Sequence, residues 1–516
     1  MDTNNFVGGS WLQARYGINL VMPLTVLSRI GGRRTTQEVG GRKTETFVEG
    51  MRPNSDLRGH LTFHLKHEVL HLELLARLFE KIEVAELGAW IEHEPNGQYA
   101  RRAGFLYEWL TGSELKIQAK VGGGYVEVID GQKLVAASEG RSLPIRKWRI
   151  RDNLPGTPHF CPIVRKTNDV VLAMALDIQG LLGDLNSEFG EDVLMRSAVW
   201  MTLRESRSSF SIEGEADQAD RIHRFADVVA RRIGQGSLPL SQAVLAKLQS
   251  EILGPLTTLQ HMGIRQSPLF VGEAIRNQEV VHYVAPPSED LELMLGGVMT
   301  FLDRTQGQSS VMRSAVAAFG FVYIHPLADG NGRVHRFLIN DVLRRDKAVD
   351  DPMILPVSSL IDRDPLERRA YDRILDGISR PLMAELSGRY IFDPTQTIYP
   401  DGIASNFNFC GNEIGRSCWR YLDLTSHVLY MADILERTIC EDMREESRYL
   451  RSHAQARQAI KDVLEMPDTQ IDRVIRSTLV NQGRLSGVLT KEIPLLAMPG
   501  VWDSIVRAIH SAFDRL

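Results

Sequence analysis

"VMRSAVAAFGFVYIHPLADGNGRVHRFLINDVLRR", residues 311–345, joins two apolar runs through a short polar break. Residues 311–324 are apolar nearly all round, the pattern of a buried central helix. After the break the helical pattern resumes, with Val334, Phe337, Leu338 and Val342 on one stripe. Gly330, Asn331 and Gly332 accept positive backbone dihedrals at little cost, so successive N–H groups can turn inward as an anion-binding nest. That nest opens into a helix whose first N–H groups and positive dipole end favour phosphate. Arg333 and Arg336, three apart on the new helix, reach oxygens of one polyphosphate. Asp329 is the hard oxygen ligand that Mg²⁺ accepts beside nucleotide phosphates. His325, at the end of the first apolar run, is a group that takes a proton near neutral pH. Together these residues describe a phosphoryl- or nucleotidyl-transfer site. They also fit a glycine-rich helix break carrying incidental charge.

The chain around this stretch has 516 residues, 43% hydrophobic and 24% charged, which are globular proportions and imply two to four domains. A net charge of -5 gives no whole-chain reason to expect nucleic acid. The N-terminus lacks the basic cluster and apolar stretch of a secretory signal, and no window approaches the length of a membrane span. Cys161, Cys410, Cys418 and Cys440 are spread out and form no C-x-x-C pair, so neither a disulfide framework nor a thiolate zinc site is expected. A cytoplasmic location without membrane contact is the simplest expectation.

Residues 1–145 read as a mixed α/β region of unknown role. Within it, 61–82 reads as one amphipathic helix and 122–138 as a hairpin on a "DG" turn. Residues 146–190 read as a connector in which Pro155, Pro158 and Pro162 break any helix. Helical patterns then run from 191 to 395, interrupted by the β-like "SPLFV" and "EVVHYV" either side of a turn-rich stretch. A helical extension is expected over 396–450, and 451–516 has the helix-turn-helix-strand rhythm of a winged-helix-like unit.

"HPLADGNGRVHR" (325–336) resembles the signature of the Fic (filamentation induced by cAMP) family, H-x-F-x-(D/E)-G-N-G-R-x-x-R, with Leu327 where phenylalanine is usual. "GIR" at 263–265 is also similar to the family. The resemblance implies a mainly α fold: a helical core over 191–395 with a β-hairpin flap at 267–287. It implies transfer of AMP from ATP to a Ser, Thr or Tyr hydroxyl of a target protein docked by the flap. In that scheme His325 is the base and Asp329 the Mg²⁺ ligand. Gly330, Asn331 and Gly332 form the phosphate cradle, with the Asn331 side chain on the α-phosphate, while Arg333 and Arg336 hold the phosphates. "SSFSIEG" (208–214) resembles the family's inhibitory pattern (S/T)-x-x-x-E-(G/N) through Ser209, Glu213 and Gly214, on a helix at about 193–214. The resemblance implies that Glu213 pairs with Arg336 in the place of the γ-phosphate and holds the enzyme off. Self-modification and a homodimer are further options that it leaves open.

Three other readings stand beside this one. The same site can remove AMP from a modified protein or transfer another nucleotide. The C-terminal unit can make the chain a DNA-binding regulator, although its recognition region carries few basic residues. "HEVLH" (67–71) fits the H-E-x-x-H zinc pattern if it lies on one helix, with Glu92, His93 and Glu94 as further ligands.

Overall fold

The computed structural model describes residues 5–39, 42–275 and 278–513. The fold is mainly helical with small sheets, and it divides into two compact units. One comprises Met1–Leu176, Asp217–Lys347 and Asp364–Asp433; the other comprises Asp177–Ala216, Ala348–Arg363 and Ile434–Leu516.

In the first unit, the N-terminal part sets a mixed sheet beside helices. Strand Arg42–Val48 lies between Val26–Gly31, to which it is parallel, and Thr35–Val39, to which it is antiparallel. Helices Leu57–His67, Leu72–Lys81, Val84–His93 and Gln98–Thr111 close on fully buried Leu61, Leu74, Leu78, Leu87 and Leu106.

The expected single helix over 61–82 is broken at 68–71. Glu68 leaves the helical region because its carboxylate accepts the amide of Gly9 at 2.8 Å and meets His64 Nδ1 at 2.6 Å. His71 then caps the next helix by accepting the Leu74 amide. "HEVLH" therefore does not present two histidines on one helical face. Both His71 ring nitrogens are engaged, one with Leu74 and the other with the Met22 carbonyl. Among the described residues no group of three or more His, Cys, Asp or Glu side chains is arranged to hold a metal.

The expected hairpin at 122–138 does not form either. Val126–Glu127 pairs in parallel with Ile150–Asp152, and Asp130 folds the "DG" turn back on itself through the amides of Gln132, Lys133 and Leu134. The prolines keep 153–167 out of helix, but this stretch is interior rather than a loose connector. Ile163 bridges Asp423 in parallel, and Phe160 sits against Gly297 and Gly320, where any Cβ would collide with it. Helices Asn168–Met174 and Ile178–Phe189 follow.

The core of this unit is helix Ser310–Ile324, buried throughout except at Ser310 and Val322, packed against Ser288–Arg304 and Asn331–Arg345. The flap is the antiparallel pair Phe270–Ile275 and Gln278–Val284, whose turn residues Arg276 and Asn277 lie outside the described residues. A second hairpin, Tyr390–Ile398 with Ala404–Phe409, stands where a helical extension was expected to begin. Its "PDG" turn and alternating "ASNFNF" were the sequence signals for it.

In the second unit, helix Glu191–Ile212 packs on Val357–Asp362, and buried Glu205 accepts the Ser358 amide at 2.7 Å and its hydroxyl at 2.6 Å. Its C-terminal part is a helical bundle around Ile460, Ile471, Val474, Ile505 and Ile509. The strand expected to complete a winged helix is absent among the described residues. Ser486 instead caps a short helix, Gly487–Glu492, by accepting the Leu489 amide. Among the described residues no single helix is long and apolar enough to cross a membrane.

Candidate active site

Helix Ser310–Ile324 ends at His325, which takes the left-handed conformation (φ 49°, ψ 57°). A non-glycine residue there carries strain of about 1 kcal/mol or more, and the surroundings must hold it. Its amide donates to Phe321 O at 2.9 Å, closing the helix. Its ring Nδ1 lies 3.0 Å from Val322 O. A carbonyl only accepts, so Nδ1 carries the proton and Nε2 is the basic nitrogen of the neutral ring.

The loop after His325 is pinned from several sides. Ile264 bridges Leu327, and the Arg265 amide donates to Pro326 O at 2.8 Å. Asn331 clamps Leu327 with both ends of its amide, accepting its N–H at 2.9 Å and donating to its carbonyl at 2.7 Å. One Nδ2 hydrogen of Asn331 is then left for any contact beyond the loop. Leu327 is fully buried, so the residue that departs from the usual phenylalanine still fills the core. Gln249 donates to Asp329 O at 2.8 Å and accepts the Gly263 amide at 2.7 Å. Gln242, two turns earlier on the same helix, accepts the Ile264 amide.

Gly330 (φ 93°) begins helix Asn331–Arg345 and offers no side chain to its first N–H groups. The first N–H groups and the positive dipole end of a helix are a favourable place for an anion. The Asp329 carboxylate, 42% exposed, accepts Arg333 Nη2 at 2.8 Å, while Arg221 Nη2 stands 3.9 Å from its other oxygen. Arg333 and Arg336 are both buried in the same helix. One half-exposed hard carboxylate suits a divalent ion that takes most of its ligands from phosphates and water.

Arg265 is the residue whose importance the sequence showed least. Only 1% exposed, it donates through Nε to His325 O at 2.9 Å, through Nη1 to Ser267 O at 2.7 Å and through Nη2 to Pro286 O at 2.7 Å. Burial brings its guanidinium down to about 10. It thereby fastens both ends of the flap to the His325 backbone. Tyr283 of the flap adds a hydrogen bond to Tyr323 O. "GIR" hinted at this position only by resemblance, because its partners are scattered along the chain.

His325, Asp329, Gly330, Asn331, Gly332, Arg333 and Arg336 thus lie along one helix–loop–helix of the first unit. Ser209, Glu213 and Gly214 belong to the second unit. There Ser209 is buried in helix Glu191–Ile212, exposed Glu213 is its C-terminal cap, and Gly214 (φ 76°) ends it in the left-handed region.

Residues 239–343 match the model of the Fic/DOC family. The chain is similar to the Protein adenylyltransferase Fic of Drosophila grimshawi, 27% identical over 165 residues, or 30% of this chain and 32% of that one. It is also similar to the Drosophila mojavensis protein of the same name, 38% identical over 92 residues, or 17% and 18% of the two chains. It therefore spans a third or less of the length of these relatives. A crystal structure of a Fic family protein from Desulfovibrio desulfuricans G20 aligns over 57% of this chain and 80% of its own, at 18% identity and a TM-score of 0.38. The segment that carries the histidine loop and the start of helix Asn331–Arg345 is thus the part of the chain that is similar to the Fic/DOC family.

Proposed function

We propose that the protein is an adenylyltransferase that moves AMP from ATP onto a Ser, Thr or Tyr hydroxyl of a target protein. The observation that carries this reading is His325: a histidine held in a left-handed cap with Nε2 as its basic nitrogen, followed by a helix N-terminus whose N-cap is a glycine. His325 takes the hydroxyl proton, the oxygen attacks the α-phosphorus, and the bond to the bridging oxygen breaks so that pyrophosphate leaves. The helix N-terminus and Arg333 position and neutralise the phosphates, and Arg336 serves the outermost one. Asp329 would hold Mg²⁺, which when bound offsets phosphate charge. An exposed strand edge of the flap pairs with the target's main chain and presents its hydroxyl. The reading includes a cytoplasmic setting.

The same proposal includes restraint by Glu213 acting on Arg336. What supports it is the Ser209-x-x-x-Glu213-Gly214 pattern and the place of Glu213 at a helix C-terminus, where the helix dipole mildly disfavours a carboxylate and a cation would offset it. Incubation of the parent, Glu213→Gly and Glu213→Gly/His325→Ala with α- or γ-labelled ATP tests both parts. Protein-bound label is expected from the α position only, more in Glu213→Gly, and lower by about 10²–10⁴-fold without the base. Retained γ-label would overturn nucleotidyl transfer; equal labelling of parent and Glu213→Gly would overturn the restraint alone.

A further inference from the structure

The second hairpin lies outside the segment matched to the family, and its turn reaches the base of the flap. Asp401, in that turn, is 5% exposed. Its Oδ1 accepts the Ile403 amide at 3.2 Å, which shapes its own turn. Its Oδ2 accepts three donors from the flap base: the Gln266 amide at 2.7 Å, the Ser267 amide at 2.8 Å and the Ser267 hydroxyl at 2.8 Å. Burial works to raise the Asp401 pKa, but these four donors together outweigh it and hold the carboxyl below its ordinary value. Gln266 and Ser267 directly follow Arg265, whose guanidinium holds both Ser267 O and His325 O. Further along the two hairpins, Phe270 meets Phe407 at 4.8 Å and Phe392 at 5.3 Å between ring centroids.

We infer that Asp401 is a positioning residue for the transfer reaction: it sets the first flap strand relative to His325, and so fixes where the acceptor's main chain lies. The inference rests on the proposed function for its catalytic meaning and on geometry alone for the brace. Two rigid links in series, from Asp401 to Gln266–Ser267 and from Arg265 to His325, tie the second hairpin to the catalytic loop. An acceptor strand added to the flap inherits that registration. Loss of the brace lets the flap move by more than the ångström-scale tolerance of an in-line attack.

Two measurements on the full chain test this. Hydrogen exchange of the amides at 266–275 is expected to quicken about ten-fold or more in Asp401→Ala, and less in Asp401→Asn, which keeps one acceptor oxygen and the side-chain volume. Exchange within Asn331–Arg345 should stay unchanged, which separates loosening of the flap from general unfolding. In the Glu213→Gly background, self-labelling from α-labelled ATP should slow about ten-fold in Asp401→Ala with the KM for ATP unaltered, and recover in part in Asp401→Asn. Unchanged exchange at 266–275 would overturn the brace. Faster exchange with unaltered labelling would overturn the positioning role. Absence of label from every variant would instead sink the proposed function, while the exchange measurement would still decide the brace.

Discussion

Replacing Arg265 by methionine removes a guanidinium that satisfies three interior carbonyls, those of His325, Ser267 and Pro286, while keeping most of the side-chain volume. Hydrogen bonds from a charged donor contribute roughly 1.5–3 kcal/mol each, so the three sum to about 4–9 kcal/mol. Against this stands the cost of burying the charge. The guanidinium is brought from 12.5 to about 10, which corresponds to roughly 3 kcal/mol. The net expectation is a loss of about 1–6 kcal/mol. Because the folded pKa is the lower one, this cost is constant across neutral pH and eases only as pH climbs past about 10. The assay is urea unfolding of parent, Arg265→Met and Arg265→Lys at neutral pH. Lysine can satisfy only part of the fork, so it should fall between the other two. A loss below about 1 kcal/mol in Arg265→Met would refute the reasoning, because it would mean that the three carbonyls do not depend on this side chain.

Two further predictions concern other parts of the molecule. His427 and His60, lowered by burial to about 3 and about 4, are neutral in the fold, whereas unfolding frees them to take a proton below their ordinary 6.5. Stability should therefore fall as pH drops below that value, and a urea titration should show a smaller fall in His427→Asn; equal slopes would refute it. In the second unit, Glu205→Ala leaves the amide and hydroxyl of Ser358 without their buried acceptor, for a loss of about 2–5 kcal/mol in urea unfolding, whereas Glu205→Gln keeps one acceptor oxygen and should lose less.

The sequence by itself determined the histidine loop. Gly330 alone takes the expected positive φ there, while Asn331 and Gly332 already belong to the following helix; the surrounding groups lie within a dozen positions, so local stereochemistry and charge suffice to read them. The buried helix Ser310–Ile324 and the cap at Glu213–Gly214 were legible for the same reason, since apolar periodicity and a helix-ending glycine are local signals. Tertiary structure alone decided what holds that loop. Arg265 meets His325 across 60 positions, Gln249 meets Asp329 across 80, and Asp401 meets Gln266 across 135. The helix break at "HEVLH" belongs with them, because Glu68 is drawn away by an amide 59 positions earlier. A periodic pattern records which face of a segment is apolar; it carries no record of which distant donor a buried carboxylate or carbonyl will meet. Those partners are chosen only when the chain closes and every buried polar group must be satisfied.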